Sequence, residues 1–95
     1  MNILALPNLF KELDRKLESS GGSAILVVDM EDQTGNNGGY IVRLVVQSAE
    51  GGSCLLVRPV YAYGKFDYEE AVKRADTFTK RLRERYSSLV VTCNI

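Results

Sequence analysis

The sequence predicts an α+β fold in which two helices pack on one face of a four-stranded mixed sheet. The expected element order is α-β-β-β-α-β and the expected strand order is 3-2-1-4. Three observations carry this. Apolar residues recur at helical spacing near both ends of the chain, three β-rich runs joined by glycine-rich turns lie between them, and the first run is apolar on both faces.

Pro7 suits the first position of a helix, where its missing N–H costs nothing. Leu6, Leu9, Phe10, Leu13 and Leu17 then form one stripe among charged residues, and Ser19-Ser20-Gly21-Gly22 stops the helix. The first strand is Ala24–Met30, and residues 32–39 are a turn by composition. Tyr40–Gln47 is the second strand and Cys54–Tyr61 the third. Pro59 cannot donate to a ladder, so the third strand belongs at a sheet edge or a bulge.

Asp67 is placed to cap a second helix, with Glu70 three residues on. Tyr68, Ala71, Val72, Ala75, Phe78, Leu82 and Tyr86 make its apolar stripe, and Leu89–Cys93 is a last short strand. Consecutive hairpins make the first three strands an antiparallel meander. The long helix then reverses the chain and lays strand four parallel to strand one. Pairing strand four with strand three instead leaves Pro59 hard to place.

The hairpin between strands two and three sets which residues face outward. A two-residue Gly51-Gly52 turn opposes Val46 to Val57, Leu44 to Pro59 and Val42 to Tyr61 on the side beneath the helices. The other side then carries Ile41, Arg43, Val45, Leu56, Arg58 and Val60, joined by Ile25 and Val27 if Asp29 and Glu31 point outward. No third helix remains to cover it. An apolar face of that size marks a protein partner or a homodimer, and Ile41, Arg43, Val45, Leu56, Arg58 and Val60 are the candidate partner-binding residues.

The 95 residues are 45% apolar and 25% charged, with twelve basic and twelve acidic groups, which fits one domain with one modest core. The balanced charge argues against general attraction to nucleic acid or membrane. No apolar stretch approaches the roughly 18 residues needed to span a bilayer, and the chain opening lacks the pattern of a secretory signal. A cytoplasmic setting is therefore expected.

Without His there is no ordinary triad base and no Cys/His zinc site. Cys54 and Cys93 fall on opposite edges of the expected sheet, too far apart for a disulfide, and are read as small buried hydrophobes. Asp29, Glu31 and Asp32, with Asn36 or Asn37, lack the alternating spacing of a calcium loop and are read as a solvated strand end. Gly35-Asn36-Asn37-Gly38-Gly39 leads into a strand, so it has no helix N-terminus to cradle a phosphate. Neither metal nor cofactor nor catalytic activity is expected.

A second reading rests on the long helix. Six of the eight basic residues in 51–95 lie between Lys73 and Arg85, and Arg74, Arg81 and Arg85 share one ridge that would suit phosphates. Against it stand three i,i+4 pairs in the favourable order, Glu69–Lys73, Glu70–Arg74 and Asp76–Lys80. The order helix, three strands, helix over residues 7–86 resembles double-stranded-RNA-binding domains. Those domains bring a Lys-rich start of the second helix to the phosphates, whereas here Asp67-Tyr68-Glu69-Glu70 would repel them. Phe66 and Ala71 fit the Phe-x-x-x-x-Ala helix opening of small phage-integrase DNA-binding modules, a pattern shared by many helices packed on a meander.

The first expectation is thus a free-standing, non-catalytic regulator or inhibitor, of the kind a phage or bacterium would use, acting through its open sheet face. Nucleic-acid binding through Arg74, Arg81 and Arg85 is the alternative.

Overall fold

In the computed structural model, helix α1 runs Leu6–Ser19 and ends in two glycines of positive φ, Gly21 and Gly22. Gly22 N–H donates to Leu17 O at 2.7 Å and Gly21 N–H to Glu18 O at 3.3 Å, so two carbonyls that the helix end would orphan are satisfied. The structure describes residues 6–33, 35, 38–50, 52–61 and 66–95, with only the backbone of Leu6 and Pro7. The expectations for the Leu6 side chain, for Thr34, Asn36 and Asn37 of the long turn, and for Gly51 lie outside the described residues.

Strands β1 (Ala24–Asp32), β2 (Tyr40–Ser48) and β3 (Cys54–Pro59) form the meander. Helix α2 (Tyr68–Arg85) follows, and β4 (Val90–Cys93) ends the order of elements. The sheet order is β3-β2-β1-β4, with β4 parallel to β1. Asp67 caps α2 as its sequence position predicts, its carboxylate accepting from Glu70 N–H at 2.8 Å. Pro59 sits on the edge strand β3, where its missing donor costs no ladder bond.

Both helices cover the same face. Leu9, Leu13 and Leu17 of α1 and Ala71, Ala75, Phe78 and Leu82 of α2 share one buried cluster with inward-facing residues of all four strands. Thr79, a buried polar residue of α2, returns its hydroxyl to Ala75 O at 2.7 Å. Gly39 is fixed by crowding as well as by its φ of 75°. A Cβ there would stand 2.6 Å from Phe66 O, because Tyr40 and Phe66 exchange backbone hydrogen bonds beside it.

The register of β3 departs from the expected one. Ser48 N–H donates to Ser53 O at 2.8 Å, so the hairpin closes on that pair and the loop spans residues 49–52 instead of two glycines. A bulge after Gln47↔Cys54 then brings Val46 opposite Leu56, Leu44 opposite Arg58 and Val45 opposite Val57. A one-residue slip exchanges the faces of a strand. Leu56 and Val60, expected outside, are core residues at 6% and 0% exposure, whereas Val57, expected inside, is exposed.

Candidate interaction surface: the open sheet face

The face of the sheet opposite the helices has a regular layout set by the register. Its central strands pair Asp29 with Arg43 and Val27 with Val45, flanked by Ile25↔Gln47 and Glu31↔Ile41. On the β3 side, Cys54, Val57 and Pro59 stand opposite Gln47, Val45 and Arg43. On the β4 side, Val90 lies beside Ile25 and Thr92 beside Val27. Ile25, Val27, Ile41 and Val45 are half-buried by their neighbours, while Val57 and Val90, at the two edges, are among the exposed large apolar residues.

One charge cluster crosses this face. Arg43 donates from Nε to Asp29 Oδ1 at 2.9 Å and from Nη2 to Asp29 Oδ2 at 2.8 Å, a two-pronged pair. Glu31 stands 3.8 Å from the same guanidinium. The Asp29 hydrogen bonds are the main reason that Arg43 holds its proton more tightly than a free arginine.

Of the six partner-binding residues expected from sequence, the structure leaves Ile41, Arg43 and Val45 together on the open face. It moves Leu56, Arg58 and Val60 to the helix side. Arg58 pairs with Glu12 of α1, Nε to Oε1 at 2.9 Å and Nη2 to Oε2 at 3.1 Å, and also donates to Val57 O at 2.8 Å. That cation closes the outer edge of β3 against α1. Val90 and Thr92 of β4, to which the sequence assigned no face, join the open face, and so do Val57 and Pro59 of β3, which the expected register missed. Their signal was faint, because residues 54–60 are apolar on both faces apart from Arg58, and no periodicity there fixes which side is covered.

The arginine ridge is built largely into the fold. Arg74 pairs with Glu70 at 2.8 Å and lies over the rings of Tyr61 and Phe66, with its guanidinium carbon 5.2 and 4.7 Å from their centroids. Arg85 donates to Asp14 Oδ2 at 3.0 Å and to the Tyr86 hydroxyl at 3.1 Å, and covers the Phe10 ring. Arg81 is exposed and has no ion-pair partner among the described residues. Asp76–Lys80 forms as expected at 3.2 Å, but Glu69–Lys73 does not close.

Cys54 and Cys93 are free thiols on opposite edges of the sheet. Cys54 is exposed and not buried as expected, because the bulge leaves it at the hairpin end of β3. Among the described residues no three His, Cys, Asp or Glu side chains come together as a metal set, and no helix is long and apolar enough to cross a membrane. No family model, no curated protein and no solved structure matches the chain.

Proposed function

We propose that the protein is a small non-catalytic binding module that regulates or inhibits by docking its open sheet face on protein. The observation that carries this is the uncovered face itself. Ile25, Val27, Ile41, Val45, Val57 and Val90 line it, both helices lie on the other side, and its central cation is already neutralised by Asp29. Apolar side chains in contiguous rows on a sheet face gain by removal from water, at roughly 25 cal/mol per Å² buried.

The arginine ridge is the lesser reading, since Arg74 and Arg85 already have acidic partners that a phosphate would have to displace.

The test is capture from a lysate of the source cell on immobilised protein, with and without nuclease, beside Val45→Glu. Val45 is half-exposed and outside the core, so the variant keeps the wild-type circular dichroism. The expected result is a defined protein band that survives nuclease and disappears with Val45→Glu. A band that the folded variant retains refutes the reading, and loss of all capture with nuclease transfers it to Arg74, Arg81 and Arg85.

A further inference from the structure

We infer that the occupant of the open sheet face is a second copy of this chain, stacked face to face about a two-fold axis parallel to the strands. This rests on the binding-module reading above and names its partner. The argument comes from strand order and register. β2 and β1 are the two central strands, with β3 and β4 outside them. A two-fold axis lying between the stacked sheets, along the β1–β2 seam, carries each β2 over the partner's β1 and each β3 over the partner's β4.

The register makes that exchange chemically consistent. Arg43 and Asp29 are Cα partners, so the operation sets each Arg43 over the partner copy's Asp29. Val45 and Val27 are likewise partners, so valine meets valine at the centre. Val57, on β3, comes over Thr92 with Val90 beside it, so the two most exposed edge valines are covered together. The centre of the patch is thus self-complementary, with Arg43 over Asp29 and Val45 over Val27, while toward its two ends the same operation sets Ile41 over Glu31 and Ile25 over Gln47.

The charged pair has hydrogen-bonding capacity left for this. A guanidinium has five N–H donors, of which Arg43 commits two to its own Asp29, and each carboxylate oxygen has a further lone pair. Glu31 lies toward the end of the strands, where a dimer rim stays wet.

Size sets the expected strength. Four strands about 4.8 Å apart and about six residues long at roughly 3.3 Å each give a face of about 19 by 20 Å. That is about 380 Å² per copy, below the roughly 800 Å² per partner of a standard interface, so a weak, transient dimer is expected.

Sedimentation across a concentration series tests this. Wild-type protein moves from the mass of one chain to that of two, and Val45→Glu stays at one. Arg43→Asp and Asp29→Arg each place like charges opposite one another and weaken self-association about tenfold or more. Mixing those two variants restores the two-chain mass, because each cation then meets an acid on the other copy. A purely intrachain role for the pair predicts no gain on mixing.

Wild-type protein that remains one chain at all concentrations, or a mixture no more associated than its components, overturns the inference. If either charge variant fails to fold, the wild type and Val45→Glu still decide it by mass. A one-chain wild type that captures another protein through Val45 refutes the second copy and leaves the module reading standing. A folded Val45→Glu that changes neither mass nor capture refutes both.

Discussion

At the scale of single residues, one polar contact between the two helical segments is a carboxylate held by a phenol and a guanidinium. Tyr86 donates its hydroxyl to Asp14 Oδ1 at 2.6 Å while accepting from Arg85 Nε. Burial, and then the hydrogen bond to Asp14, push the Tyr86 phenol up to about 12. The same hydrogen bond leads the causes that hold Asp14 below its ordinary 3.8, with Arg85 adding to it. The signs follow from which state binds the proton more tightly. The Tyr86 contribution to stability is complete below the ordinary phenol value of 10.0 and is lost as pH rises through about 12. That of Asp14 is complete above 3.8 and is lost as pH falls through its lower native value. In an ultraviolet titration the Tyr86 phenol is therefore expected to ionise late, near 12, and Tyr86→Phe removes that step. A late step that persists in Tyr86→Phe contradicts the assignment. Sequence spacing placed Tyr86 on the apolar stripe of α2 and Arg85 on a solvent ridge. Nothing in either pattern indicated that Asp14, more than 70 residues away, would join them, because such a contact depends on how the helices lie across the sheet.

At the scale of elements, local chemistry was readable and the β3 register was not. The glycine stop of α1, the Asp67 cap of α2, the edge position of Pro59 and the parallel pairing of β4 all have causes within a few residues or in the two-sided apolarity of β1. The β2–β3 hairpin is different. Ser48-Ala49-Glu50-Gly51-Gly52-Ser53 admits either a two-residue or a four-residue loop, and Leu55-Leu56-Val57 offers apolar residues to both faces. Two features outside the hairpin favour the observed register: Leu56 and Val60 reach the core, and Arg58 on the covered side reaches Glu12. Truncation separates the alternatives. Leu56→Ala is expected to cost about 2–4 kcal/mol in urea unfolding and Val57→Ala less than about 1 kcal/mol, since only the first leaves a cavity. The reverse order of costs supports the two-residue turn.

At the scale of the whole molecule, the fold has two layers, helices and sheet, and the second face of the sheet is open. Two helices cover one face of four strands, and the other face has side chains suited to burial with no element of the described residues over it. The sequence disclosed that shortage, because two helices cannot cover both sides of a four-stranded sheet. It misjudged the far side of the sheet, since half of the expected surface residues came from the misregistered strand. The corrected face is more regular than the expected one. Its cation sits opposite an acid, and its valines run in a row from β3 to β1. Methyl-resolved NMR over a dilution series tests the central claim most directly, because it reports which side chains change surroundings as the molecules associate. Methyl signals of Ile25, Val27, Ile41, Val45, Val57 and Val90 are expected to move with concentration, while those of Leu13, Leu26 and Leu82 in the core stay fixed. Movement confined to the helix side, or none at any concentration, contradicts it.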